Sequence, residues 1–73
     1  MSNVTVYSKP NCPQCVQTKK KLEQKGIEFS SVDISVDTVG AKIVADLGYR
    51  QVPVVVVGDT HWSGFRPDLL GQM

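Results

Sequence analysis

Seventy-three residues, 41% apolar and 21% charged, are the material of one small globular domain spanning residues 1–73. No run approaches the roughly 20 apolar residues of a membrane span, and no basic segment leads into an apolar block at the start, so neither a membrane partner nor a secretory leader is expected. A formal net charge of +1 makes nucleic acid a poor match, and a cytoplasmic monomer is the expectation.

Val4, Val6 and Tyr7 propose a first strand, and Ser8-Lys9-Pro10-Asn11 has the composition of a turn. A helix is predicted from Pro13, which suits the first helical position, to Lys25, with Gly26 as its stop. Its apolar stripe is thin: Cys15, Thr18, Lys19 and Leu22, with Val16 beside it. Residues 27–34 read as a second strand packing through Phe29, Val32 and Ile34. Ser35 or Asp37 can cap a second helix, where Val36, Val39, Ile43 and Leu47 fall on one face and Gly48 ends the run. Gly40 inside it costs about 1 kcal/mol relative to alanine and marks a possible close approach. The run from Val52 to Val57 suits a central strand with Pro53 at its start. Gly58-Asp59 is a hairpin turn, Thr60 to Ser63 the returning edge strand, and Arg66 to Leu70 a short last helix with Pro67 in its first turn. The order is βαβαββα. A right-handed crossover makes the first two strands parallel, the hairpin makes the last two antiparallel, and an α/β fold follows: a four-stranded mixed sheet flanked by three helices.

The chain has two cysteines, in Cys12-Pro13-Gln14-Cys15. Two are too few for the framework of a secreted scaffold, and a bond between them closes too short a loop to stabilise much. Structural zinc takes four ligands; Cys12, Cys15 and His61 supply three, so a closed site needs a carboxylate or a second chain, and no metal is expected. A dithiol–disulfide centre fits better. At the start of a helix, Cys12 meets unpaired N–H groups and a partial positive charge, which favour a thiolate. Cys12 is then the attacking sulfur, and Cys15, one turn in, resolves the mixed disulfide. Lowering a thiol pKa from about 8.5 to about 7 raises the thiolate fraction roughly 15-fold at neutral pH, but weaker nucleophilicity returns roughly 5-fold of it. Leaving-group quality and a positioned Cys15 therefore matter more than acidity. Lys9 adds positive potential near Cys12 or is an ordinary surface lysine. Lys19-Lys20-Lys21 is a solvated helix face or steers toward an acidic partner.

A strand, Cys12-Pro13-Gln14-Cys15, a helix and a later Val52-Pro53 ahead of a strand resemble the thioredoxin/glutaredoxin superfamily over nearly the whole chain. The resemblance implies a thioredoxin-like fold with Pro53 cis and facing the cysteines. It also implies that the Val52 backbone pairs with an extended substrate segment, and Gln14 and Lys9 complete the candidate substrate-binding set. Trp62-Ser63-Gly64-Phe65-Arg66-Pro67 resembles the characteristic segment of the NrdH-redoxins, which are glutaredoxin-like in sequence and thioredoxin-like in function. That resemblance implies an electron carrier with no bound cofactor beyond the Cys12–Cys15 disulfide. It implies reduction by thioredoxin reductase at the expense of NADPH, and the large subunit of class Ib ribonucleotide reductase as acceptor. The alternative is a glutathione-dependent glutaredoxin. Glutaredoxins carry a Gly-Gly turn followed by acidic residues that hold glutathione. The stretch from Ser63 to Asp68 lacks the first glycine and part of the acidic pair, so weak glutathione binding is expected. Pro13 departs from the aliphatic residue common there in NrdH-redoxins and is similar to glutaredoxins. Trp62 and Phe65 are expected to pack the last helix on the sheet, with their segment hydrogen-bonded to the second helix.

Overall fold

The computed structural model describes residues 3–72; Met1, Ser2 and Met73 lie outside the described residues. The elements are β1 (Val4–Ser8), α1 (Pro13–Gln24), β2 (Ser30–Asp33), α2 (Thr38–Asp46), β3 (Val54–Val57), β4 (Thr60–Ser63) and α3 (Pro67–Leu70). One four-stranded sheet runs in the order β2-β1-β3-β4, parallel between β1 and β2 and antiparallel at the other two joins. Val6, Val55 and Trp62 lie side by side across three strands. They join Val4, Leu22 and Leu70 in one core, under α1 and α3. Tyr7, Val44 and Val54 form a second core under α2, on the opposite face. Side chains alternate along a strand, so two cores on one sheet follow from period-two patterning.

Both long helices stop in the same way. Gly26 takes φ +69, and the N–H groups of Gly26 and Ile27 donate to the carbonyls of Glu23 and Leu22. Gly48 takes φ +89, and Gly48 and Tyr49 donate to Ala45 and Val44. These are Schellman stops, and a side chain at either glycine would have to hold a left-handed backbone. The second strand starts later than expected. Ile27 donates its N–H to α1 and the parallel ladder begins at Ser30, while Ile27 and Phe29 pack against the first core. β3 likewise begins at Val54 rather than Val52, because Pro53 has no N–H to give and its carbonyl bonds to Gly64.

The face of α2 differs from the expectation. Val36, Val39 and Ile43 are 79%, 68% and 38% exposed, and the buried residues are Gly40 and Val44, with Leu47 half-buried beside them. The hydrophobic period pointed to the valine row, but the neighbouring row of Gly40 and Val44 is the one that is buried. Packing decides this: a Cβ on Gly40 would lie 2.6 Å from Val32 Cγ1, so the glycine row approaches the sheet more closely than the valine row can. Asp37 is the N-cap, accepting from the Gly40 N–H at 2.8 Å. Ser35, the other candidate cap, bonds instead to the Asp33 carboxylate through its N–H and its hydroxyl, and this holds the Asp33 pKa below the ordinary carboxylate range.

Candidate redox site

The turn after β1 passes through Asn11 at φ 61, a left-handed position that asparagine tolerates better than most residues, and delivers Cys12 to the N-cap of α1. Pro13 occupies the first helical position, where its missing N–H leaves nothing unpaired. The Cys15 N–H donates to Cys12 Sγ at 3.2 Å. No acidic side chain stands in this first turn, so no carboxylate of the helix itself competes with Cys12 for its positive end. Cys12 and Cys15 are joined in a disulfide with their Cα atoms 5.2 Å apart. Their exposures differ: Cys15 is 2% exposed, Cys12 only half-buried.

The facing wall comes from forty residues further on. The Val52–Pro53 bond is cis, and Val52 O lies 3.8 Å from Cys12 Sγ. In the disulfide that sulfur carries no proton, so this is a contact; a thiol at the same place can donate to the carbonyl. Val52 lies outside the ladder of β3, which begins at Val54. Gly64 donates its N–H to Pro53 O at 2.8 Å, and a Cβ on Gly64 would lie 3.7 Å from Gln14 Oε1. The rim therefore closes from Cys12 through Val52 and Pro53 to Gly64 and back to Gln14.

The structure thus brings five of the sequence-predicted residues together with Cys15 close behind. The bond of the 62–67 segment is not to the second helix, as expected, but to Pro53, because Gly64 leaves β4 directly beside the start of β3. Trp62 is buried, and Phe65, Leu69 and Leu70 pack with it, as expected. Ser63 ends β4, paired with Val54. Arg66 and Pro67 are exposed. Arg66 grips Asp68 through Nε at 3.2 Å and a terminal nitrogen at 3.0 Å. That guanidinium holds the Asp68 carboxyl below the ordinary carboxylate range. Lys9 is exposed in the turn before Cys12, and no bond among the described residues ties it to the cysteines. His61 projects to the other face, where its Nδ1 meets the Tyr49 hydroxyl at 2.7 Å. Among the described residues no group of three or more His, Cys, Asp or Glu side chains is placed to hold a metal ion. A cavity of about 240 Å³ lined by Val57, Thr60, Trp62, Leu69 and Gln72 lies at the opposite end of β3 from Pro53, away from the cysteines.

Thr18 enters the sequence reading only as a member of the thin stripe of α1. Thr18 sits in the buried row of α1 with Cys15 and Leu22, fully buried, and its hydroxyl has no hydrogen-bond partner. A polar residue in an apolar stripe was the available signal, and periodicity treats it as filler.

A cysteine pair that caps and enters the first helix, beside a cis proline at the start of the neighbouring strand of a mixed sheet, defines a thiol–disulfide oxidoreductase of the thioredoxin-like fold. The family profile described as Glutaredoxin matches residues 4–62. The glutaredoxin-like protein NrdH of Salmonella typhimurium is 41% identical over 97% of this chain and 88% of its own. Its Escherichia coli counterpart is 37% identical over 96% of this chain and 86% of its own. The solved structure of NrdH-redoxin from Escherichia coli, a glutaredoxin-like protein with a thioredoxin-like activity profile, superposes with a TM-score of 0.91 at 37% identity, covering 96% of this chain and 92% of that one. The chain belongs to the glutaredoxin family, in its NrdH-redoxin branch.

Proposed function

We propose that this protein is a cytoplasmic, monomeric electron carrier that reduces protein disulfides through Cys12 and Cys15. Its acceptor is the large subunit of class Ib ribonucleotide reductase, and it is re-reduced by thioredoxin reductase with electrons from NADPH. In the reduced protein, the Cys12 thiolate attacks a substrate disulfide, forming one S–S bond as the substrate's breaks, and the first substrate sulfur leaves with the electron pair and takes a proton from solvent. Cys15 then attacks Cys12; the substrate sulfur leaves with the electron pair and takes up the proton Cys15 gave up. The substrate departs as a dithiol and the protein as the Cys12–Cys15 disulfide, ready for two electrons from the reductase.

The observation that carries the redox reading is the asymmetry of the pair: Cys12 half-buried at the N-cap and bonded by the Cys15 N–H, Cys15 buried behind it. The Val52 backbone, outside the ladder and beside Cys12, is a natural place for an extended substrate strand, with Gln14 at its edge and Lys9 contributing charge. The Arg66–Asp68 pair supports thioredoxin reductase over glutathione as electron source. Asp68, the carboxylate in the stretch that by resemblance corresponds to the glutathione-holding segment of glutaredoxins, is paired with the Arg66 guanidinium. The test supplies NADPH and a model disulfide with either thioredoxin reductase or glutathione plus glutathione reductase. NADPH consumption is expected in the thioredoxin reductase arm. Consumption confined to the glutathione arm overturns the choice of reductase and supports a glutathione-dependent glutaredoxin.

A further inference from the structure

Thr18 is 0% exposed, and its Oγ1 lacks a hydrogen-bond partner in the disulfide form. A helical threonine commonly bonds back to a carbonyl three or four residues earlier. Thr18 makes no such bond. Buried hydroxyls are nearly always satisfied, so one that is not calls for an account. Its neighbour on the same row is Cys15, itself 2% exposed. Residues three apart on a helix have Cβ atoms about 5–6 Å apart, and helical side chains lean toward the N-terminus. Thr18 therefore shares the buried face of α1 with Cys15, one turn on, within the reach of a small rotation of either side chain.

We propose that Thr18 is a redox-linked positioning residue: its hydroxyl donates a hydrogen bond to Cys15 Sγ when the disulfide is open and lacks that bond when the disulfide closes. The inference rests on the reading of Cys12 and Cys15 as the redox pair. Reduction breaks the S–S bond, and two electrons and two protons, supplied by a donor dithiol, leave a thiol on each cysteine. Cys15 Sγ, released from Cys12, is free to turn and accept from Thr18, and a thiolate forming there during resolution accepts more strongly than a disulfide sulfur. A bond made only in the reduced form favours the dithiol and raises the reduction potential, as stabilising the reduced form does in any such couple. Thr18 thus limits how strong a reductant this centre is.

The experiment equilibrates wild type and Thr18→Val in graded dithiothreitol buffers, traps free thiols by alkylation and reads the oxidised fraction by mass spectrometry. Valine matches threonine in shape and removes the hydroxyl. Thr18→Val is expected to move the equilibrium about fivefold toward the disulfide, or roughly 20 mV more negative at 29.6 mV per decade. Thr18→Ser, which keeps the hydroxyl, is expected to hold the wild-type potential. Thermal unfolding of each form gives a second readout: Thr18→Val lowers the Tm of the reduced protein and leaves that of the oxidised protein unchanged or higher. An unchanged potential with equal Tm shifts in both forms overturns the proposal. Thr18→Ala, which needs no added bulk, must give the same sign of potential shift, and an unchanged potential there overturns it as well. If wild type itself has no reversible dithiol–disulfide equilibrium, the reading of the redox pair fails instead.

Discussion

Helices α1 and α2 begin with the same hydrogen bond and end with the same backbone turn, yet they do different work. In both, the N-cap side chain accepts from the third helical N–H: Cys12 sulfur from Cys15 in α1, Asp37 carboxylate from Gly40 in α2. In both, a left-handed glycine closes a Schellman stop. The difference lies in the acceptor. The Asp37 side chain accepts from Gly40 in either redox state of the protein, so its cap stabilises the helix whether the cysteines are joined or open. A cysteine sulfur carries negative charge only as a thiolate, in the reduced protein or while a mixed disulfide is being broken. The same geometry then stabilises a leaving group. A structural cap becomes a chemical one by replacing an oxygen acceptor with a sulfur whose charge comes and goes with the redox step.

Exchanging the acceptors breaks the comparison most sharply. Cys12→Ser keeps an N-cap oxygen and is expected to abolish disulfide turnover in the reductase-coupled assay while the fold survives, because serine is an adequate cap and no nucleophile for this exchange. Cys15→Ser should leave attack intact and accumulate Cys12 mixed disulfides, visible by mass spectrometry. Retained turnover in the Cys12 variant sinks the assigned roles.

Gly40→Ala probes the feature of α2 that α1 lacks. The new Cβ would meet Val32 Cγ1 at 2.6 Å, and overpacking of that kind typically costs about 1–3 kcal/mol against about 1 kcal/mol gained in helix propensity. A lower denaturation midpoint is expected, with turnover per folded molecule unchanged; a stabilised variant would mean that α2 does not rest on the sheet through this row. Asp37→Ala comes next, losing about 1 kcal/mol in chemical denaturation with no change in reduction potential. A shifted potential would show that the two caps are coupled.

Helix α3 is a third case and the smallest effect. Its N-cap, Arg66, makes no side-chain cap bond, and the residue pairs instead with Asp68 in the first turn. Both side chains are exposed, so Arg66→Gln should scarcely move the Tm. The folded pKa of Asp68 lies below its ordinary value, so the pair's contribution is present above the ordinary carboxylate range and is lost as pH falls through the lowered value. An NMR titration of Asp68 should move up toward that ordinary range in the variant; an unmoved titration would remove Arg66 as its cause.

Local signals carried much of this molecule. The element order, the helix opening at Cys12-Pro13, the stops at Gly26 and Gly48 and the Gly58-Asp59 hairpin are all written in neighbouring residues, because turn chemistry and period act over a few positions. The cysteine pair and its asymmetry followed from the same short range. Tertiary packing decided the rest. The row of α2 that meets the sheet was settled by clearance to Val32, a residue of another element, where periodicity pointed instead to Val36, Val39 and Ile43. The bond of Gly64 to Pro53 depends on β3 and β4 pairing, and the approach of Val52 to Cys12 spans forty residues. Thr18 shows the limit most plainly: its place in the buried row is legible from spacing, but whether its hydroxyl finds a partner depends on every surface that closes over it.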